Sequence, residues 1–199
     1  IWIAFDWNKM DLYSSVVDER MKFRSEHDMY SSKLSSTLPP YYYGLLDLKK
    51  GDLPSAQKKM EELNAIYKQL EDPEKPLIKV AVSHLLSELL LAQGKFDKAL
   101  EVHRSYNPQY EPFARVRDNL PYIYDFAARI YAAKGDLDGA IAEYENLLKI
   151  NPKSRIKFII NPFLYCRLGR LYEQKSQWAK AWDVYQKALE VWKNADDDL

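Results

Sequence analysis

Histidine and cysteine, the side chains most often recruited for acid–base, nucleophilic or zinc chemistry near neutral pH, are few here: His27, His84, His103 and Cys166. A zinc site needs ligands at short fixed spacing, so that one turn or one helix face presents them to a single ion. No two of these histidines stand four apart, and none lies at such spacing from Cys166. Nothing matches a glycine-rich phosphate loop or a nucleophile elbow. The adjacent carboxylates Glu61 and Glu62, and those from Asp196 to Asp198, fall on an expected solvated helix face and at a terminus. Catalysis by this chain is not expected, and no cofactor or metal is implied. Cys166 reads as a small, part-buried helix residue and His103 as a packing residue. Within Tyr41-Tyr42-Tyr43, helical spacing points Tyr43 inward and leaves Tyr41 facing out.

Bulk properties narrow the classes further. The chain has 199 residues, with 29 Lys plus Arg balanced by 29 Asp plus Glu. A neutral balance argues against a nucleic-acid binder, whose affinity rests on phosphate contacts from a basic face. One cysteine cannot form an internal disulfide, which excludes a cross-linked secreted scaffold. No apolar run approaches the roughly 20 residues of a membrane helix, so no membrane insertion is expected. The sequence does not fix the compartment; a cytoplasmic one is favoured. The opening IWIAFDW has no initiator Met and no signal pattern, and suggests a piece of a longer protein.

The elements come from a passage that recurs. AKGDLDGAIAEY (133–144) has counterparts in KKGDLPSAQKKM (49–60), AQGKFDKALEVH (92–103) and QKSQWAKAWDVY (174–185). Aligned on the central small residue these give Ala56, Ala99, Ala140 and Ala181, and a weaker copy places Ser15 in that slot. The steps are 41, 43, 41 and 41 residues, a period that marks a repeat array. Apolar residues around each copy fall at helical spacing, so 120–133 and 136–150 each predict a helix, with Lys134-Gly135 as the turn. Gly51, Gly94 and Gly135 supply the left-handed residue that ends a helix. Asn161-Pro162 predicts a helix start, and the ten prolines all fall in connectors or first turns.

Twelve residues before each central alanine stands another small residue, giving Gly44 with Ala56, Ser87 with Ala99, Ala128 with Ala140, and Gly169 with Ala181. Two antiparallel helices joined by a short turn approach toward the low end of the usual distance of about 8–10 Å only where neither presents bulk. Leu86, Leu90, Tyr131, Leu168, Tyr172, Tyr144 and Tyr185 are expected to close the gap on either side. The expected fold is all-α: an α-solenoid with a right-handed superhelix of about four full hairpins plus a partial N-terminal one. As one array it divides into a partial repeat at 1–36 and repeats at 37–75, 76–118, 119–160 and 161–199.

These spacings resemble the tetratricopeptide repeat (TPR). From Pro121 the pattern runs Tyr124, Ala128, Tyr131, Ala140, Tyr144 and Pro152; from Pro162 it runs Tyr165, Leu168, Gly169, Tyr172, Ala181, Tyr185 and Ala188. Units near Thr37 and Val80 match less well, with Asp47 and His103 where aromatics are usual. The family period is about 34 residues, and the extra residues here are expected between hairpins, at 106–119 and 151–160. The resemblance implies a non-catalytic protein-interaction scaffold within a larger bacterial regulatory protein.

In the family the first helices line a concave groove. The slots carried over are Leu38, Tyr41, Leu45 and Leu48; Ala81, His84, Glu88 and Leu91; Tyr122, Asp125, Arg129 and Ala132; and Phe163, Cys166, Arg170 and Glu173. Of these, Tyr41, Leu45, His84, Glu88, Tyr122, Asp125, Arg129, Phe163 and Arg170 are the expected contacts for a protein or peptide segment. Arg129 and Arg170 are expected to be free to take its carboxylate in bidentate fashion. The family's Lys/Asn/Arg clamp for acidic chaperone C-termini is not matched, since Tyr41, His84, Asp125 and Arg167 occupy those slots. Two other readings stand beside this one. Trp178, Trp182 and Trp192 on an uncapped last hairpin suggest self-association, and the groove around His84 and Asp125 suggests a small-molecule sensor.

Overall fold

The computed structural model describes residues 14–19, 22, 38–71, 75–105, 125–149 and 162–193. Eight helices have defined bounds among them. They are α1 (Pro39–Lys50), α2 (Leu53–Gln69), α3 (Lys75–Ala92), α4 (Phe96–Ser105), α5 (Phe126–Ala133), α6 (Leu137–Leu148), α7 (Pro162–Gln174) and α8 (Trp178–Trp192). No strand occurs among the described residues, and residues 14–19 are helical. The chain forms two compact units, residues 1–118 and 119–199. In the first, α1 pairs with α2 and α3 with α4, while α3 also packs on α1 and α2. In the second, α5 pairs with α6, α7 with α8, and α6 meets α7. The architecture is an all-α repeat of helical hairpins.

Each hairpin turns by the same backbone device. Gly51, Gly94 and Gly135 take φ of 79°, 73° and 81°, and Ser176 occupies the equivalent place at φ 56°. The N–H of that residue reaches back three residues and the next N–H reaches back five, as in Gly135 to Ala132 O and Asp136 to Tyr131 O. Ser176 to Glu173 O and Gln177 to Tyr172 O repeat the pattern. These bonds satisfy carbonyls that the helix end would otherwise orphan. Glycine suits three of the turns because it has no Cβ to resist positive φ. In two hairpins an aspartate follows and caps the next helix: Asp52 Oδ1 accepts from Ser55 N at 3.1 Å, and Asp136 Oδ1 from Gly139 N at 2.9 Å. The alternation of stop and start signals over three residues makes a sharp hairpin.

The small residues sit where the packing argument requires. Gly44, Ala56, Ser87, Ala99, Ala128, Ala140, Gly169 and Ala181 are all buried. The structure refines how the space is used. A Cβ on Gly169 would lie 2.3 Å from Tyr185 Cε1, and one on Gly44 would lie 2.8 Å from Leu85 Cδ2. The glycine is thus a socket for a large side chain from a neighbouring helix: Tyr185 of its own hairpin, or Leu85 of the next. Ser15, aligned to the central alanines, is exposed, while Val17 is fully buried. In unit 2 one core joins Ala128, Ile141 and Tyr144 to Leu164, Leu168, Leu171 and Val184, so α5 to α8 share it.

Two expectations are corrected. The helix foreseen over 120–133 begins at Phe126, with Asp125 as its N-cap residue; residues 120–124 lie outside the described part. Tyr41 is 1% exposed, because α3 covers the face of α1 on which it stands. Tyr43 is the half-buried one, and its hydroxyl donates to Asp18. The inter-hairpin stretches 106–119 and 151–160 lie outside the described residues.

Candidate functional site

In unit 1 the first helices of successive hairpins meet through polar groups. Tyr41 Oη on α1 is hydrogen-bonded to His84 Nδ1 on α3 at 2.8 Å, and both side chains are buried. On the next turn of α3, Glu88 Oε1 lies 3.2 Å from His84 Nε2, outside hydrogen-bond geometry. A donor and acceptor withdrawn from water must find partners or cost about 1–3 kcal/mol each, so this contact fixes how α1 and α3 align. Leu45, one turn along α1, is 1% exposed. Tyr41, Leu45, His84 and Glu88 are therefore interior residues of this unit.

Unit 2 has a charged version. Asp125, fully buried at the start of α5, accepts from Arg129 Nε at 3.1 Å and from the Tyr144 hydroxyl of α6 at 3.2 Å. Arg167 Nη1 of α7 donates to the same carboxylate. Three helices thus converge on one anion. Burial, then the Asp125 charge, pushes the Tyr144 phenol far above its usual range, against the pull of Arg167 and Arg129; it stays a donor. Arg129 also lies over the Phe126 ring, 4.9 Å from its centroid. Expected to be free for a ligand carboxylate, Arg129 is instead held by Asp125, its neighbour four residues back on the same helix face.

The outer face of α7 is different. Phe163, Cys166 and Arg170 recur at helical spacing there. Phe163 is part-buried and meets Trp192 of α8 edge to face, with ring centroids 5.6 Å apart. Arg170 is exposed, and among the described residues it makes no hydrogen bond or ion pair. Burial pushes the Cys166 thiol up, with Arg170 and Arg167 pulling it down, so the thiol has none of the lowered pKa that activates a nucleophile. Tyr122 lies outside the described residues. Of the expected contacts, then, the structure leaves Phe163 and Arg170 together on an accessible surface. No cluster of three or more potential metal ligands occurs among the described residues, and none of their helices is long and apolar enough to cross a membrane.

Sequence reasoning missed the pairings of Asp125 with Arg167 and Tyr41 with His84. The signal was present: the partners stand 42 and 43 residues apart, one repeat period. Tyr172 to Glu145 and Lys175 to Asp138, which tie α7 and its turn to α6, had no comparable signature.

Repeated helical hairpins with small residues at their crossings define the class. Family comparison gives the particular kind: residues 121–154 and 167–198 each match a tetratricopeptide-repeat family. Over these two stretches the chain carries tetratricopeptide repeats. Among solved structures it is similar to the nearly identical TPR-like repeats of a kinesin-light-chain-type protein from Podosopora anserina. That match has 14% identity and a TM-score of 0.49, covering 95% of this chain and 89% of the other. No curated protein matches significantly.

Proposed function

We infer that the chain is a non-catalytic interaction module that captures a protein segment on the outer face of α7. Tetratricopeptide repeats generally mediate protein–protein interaction, and that coarse role needs no chemistry from the side chains. One contrast carries the finer reading. Arg129 and Arg167 are committed to Asp125, whereas Arg170 stands exposed on α7 two turns from Phe163, which pairs with Trp192. A guanidinium fork on the same helix as an aromatic pair suits a segment carrying one carboxylate and an aromatic or aliphatic anchor. Arg and aromatic side chains are also the types that dominate binding energy at interfaces. Within unit 2 the buried Asp125 aligns α5, α6 and α7.

Fluorescence anisotropy with labelled peptides tests this. Peptides with an acidic residue next to an aromatic one should bind, and the same peptides with Lys in place of the acid should not. Phe163→Ala should weaken the first set by about tenfold, the loss of about 1.4 kcal/mol. Equal binding of acidic and basic peptides would remove the site assignment.

A further inference from the structure

The exposed Arg170 has an acid close by on its own helix. Glu173 follows it by three residues, a spacing at which opposite charges on a helix surface pair. Asp125 and Arg129, four residues apart, do pair. Arg170 and Glu173 form no ion pair among the described residues, although Arg170 is exposed and Glu173 only part-buried.

The reason lies across the hairpin. Tyr185 of α8 lays its ring on α7 at Gly169, so closely that a Cβ there would collide with Tyr185 Cε1 and Cζ. Gly169 immediately precedes Arg170 and stands about one helical turn before Glu173. The hydroxyl end of the ring reaches both charged groups: it donates to the Glu173 carboxylate, and Arg170 lies within electrostatic reach of it. Burial, then this hydrogen bond, pushes the Tyr185 phenol up, against the pull of Arg170, so it stays a donor near neutral pH. A hydrogen bond to a charged acceptor outweighs an exposed ion pair within one helix. An acid placed after its base is also the weaker order for such a pair. Glu173 therefore turns to α8, and Arg170 is left open.

We propose that Tyr185 is a positioning residue for capture: by holding the Glu173 carboxylate toward α8, it keeps the Arg170 guanidinium available to the carboxylate of a bound segment. This rests on the reading of α7 as the capture face, and it names the side chain that keeps that face competent. Without the hydroxyl, Glu173 is released toward Arg170. An incoming carboxylate then has to displace an internal partner and meets a like charge beside it. Gly169 serves the same end, since it admits the ring that carries the hydroxyl.

Tyr185→Phe removes the hydroxyl and keeps the ring on Gly169, so the fold should survive. Two readouts separate this inference from the capture reading. The first needs no peptide. The full chain is treated with phenylglyoxal, an arginine-selective dicarbonyl, and the adduct at Arg170 is followed by peptide mass spectrometry. Pairing with Glu173 should slow that reaction by about two- to threefold in Tyr185→Phe. In a Glu173→Gln background the same change should have no effect. The second readout is anisotropy with the acidic–aromatic peptides, whose affinity should fall by a similar factor in Tyr185→Phe, again only while Glu173 is present. Peptide capture by the wild type with Arg170 equally reactive in wild type and Tyr185→Phe would overturn this inference alone. A loss that persists in the Glu173→Gln background would also overturn it, by marking a packing role. Failure of the wild type to bind any of the peptides would remove the capture reading and, with it, the role of Tyr185 in capture.

Discussion

In unit 1 the first helices of neighbouring hairpins are joined by a phenol–imidazole contact, Tyr41 to His84, with Glu88 beyond it. In unit 2 a step one residue shorter joins a carboxylate to a guanidinium, Asp125 to Arg167, and draws in Arg129 and Tyr144. The geometry of the slot is constant and its chemistry is not. One repeat period returns the chain to the same side of the next first helix, so whatever polar group occupies that slot meets its counterpart. In unit 1 the contact between the helices is phenol to imidazole, and the buried carboxylate, Glu88, lies beyond it on α3. In unit 2 a fully buried anion makes the alignment of α5, α6 and α7 depend on one residue. Unit 2 should therefore be the more brittle at this position and the better pinned.

The largest expected effect tests that contrast. Asp125→Ala leaves two arginines and the Tyr144 hydroxyl without their shared acceptor. It should cost about 3 kcal/mol, the low end for breaking a buried pair because both arginines keep some contact with water. Tyr41→Phe removes one hydrogen bond and should cost about 1 kcal/mol. Urea unfolding followed by circular dichroism measures both, and equal losses would erase the distinction between the units.

Next comes the hairpin crossing, which the two units share. Gly169→Ala drives a methyl into the Tyr185 ring, and Ala140→Leu overfills the α5–α6 crossing. Each should lower stability by about 1–3 kcal/mol, read as a drop in melting temperature. A neutral result at either would contradict the steric basis of the repeat.

Smaller effects come from the turns. Ser176→Gly relieves a left-handed conformation that a side chain resists and should raise stability by about 1 kcal/mol, while Gly135→Ala should lower it by a similar amount. Thermal melts of the two variants should therefore move in opposite directions.

The subtlest is an alkaline titration with one reporter in each unit. Tyr43 donates to Asp18 and Tyr172 to Glu145, and both phenols are pushed up to about 12: Tyr43 first by its hydrogen bond, Tyr172 first by burial. A pKa raised above the unfolded value of about 10 contributes stability that is complete below pH 10 and is lost as pH rises through 12. Absorbance of tyrosinate and unfolding midpoints over that window should change together. Tyr172→Phe should flatten the unit 2 share of the loss, and Tyr43→Phe the unit 1 share.

Much of this fold was legible because its signals are local. Small residues at crossings, a glycine at three of the hairpin turns and an aspartate at two of the following helix starts each act within a turn or two, so spacing alone exposes them. Ser176 shows the limit: it does a glycine's work, and only its alignment with Gly51, Gly94 and Gly135 hints at it. The site was less legible. Whether an inward slot faces a ligand or a neighbour depends on how near the next first helix lies, which composition does not encode. Tyr41 and His84 looked like groove residues and are core. Arg129 looked like a free cation, yet Asp125 stood four residues before it, the spacing of a helical ion pair. Arg170 has no acid four residues before it, and it is the arginine that remained exposed.

Arg129 serves the fold and Arg170 serves capture, and a paired measurement of Arg129→Ala and Arg170→Ala tests that division most directly. Each variant is melted, and each is titrated with the acidic–aromatic peptides. Arg129→Ala should lower the melting temperature by several degrees, a loss of about 1–2 kcal/mol, and leave peptide affinity close to wild type once folded. Arg170→Ala should melt like wild type and lose about tenfold in affinity. If folded Arg170→Ala binds as wild type does, or if Arg129→Ala loses affinity with no loss of stability, the assignment is contradicted.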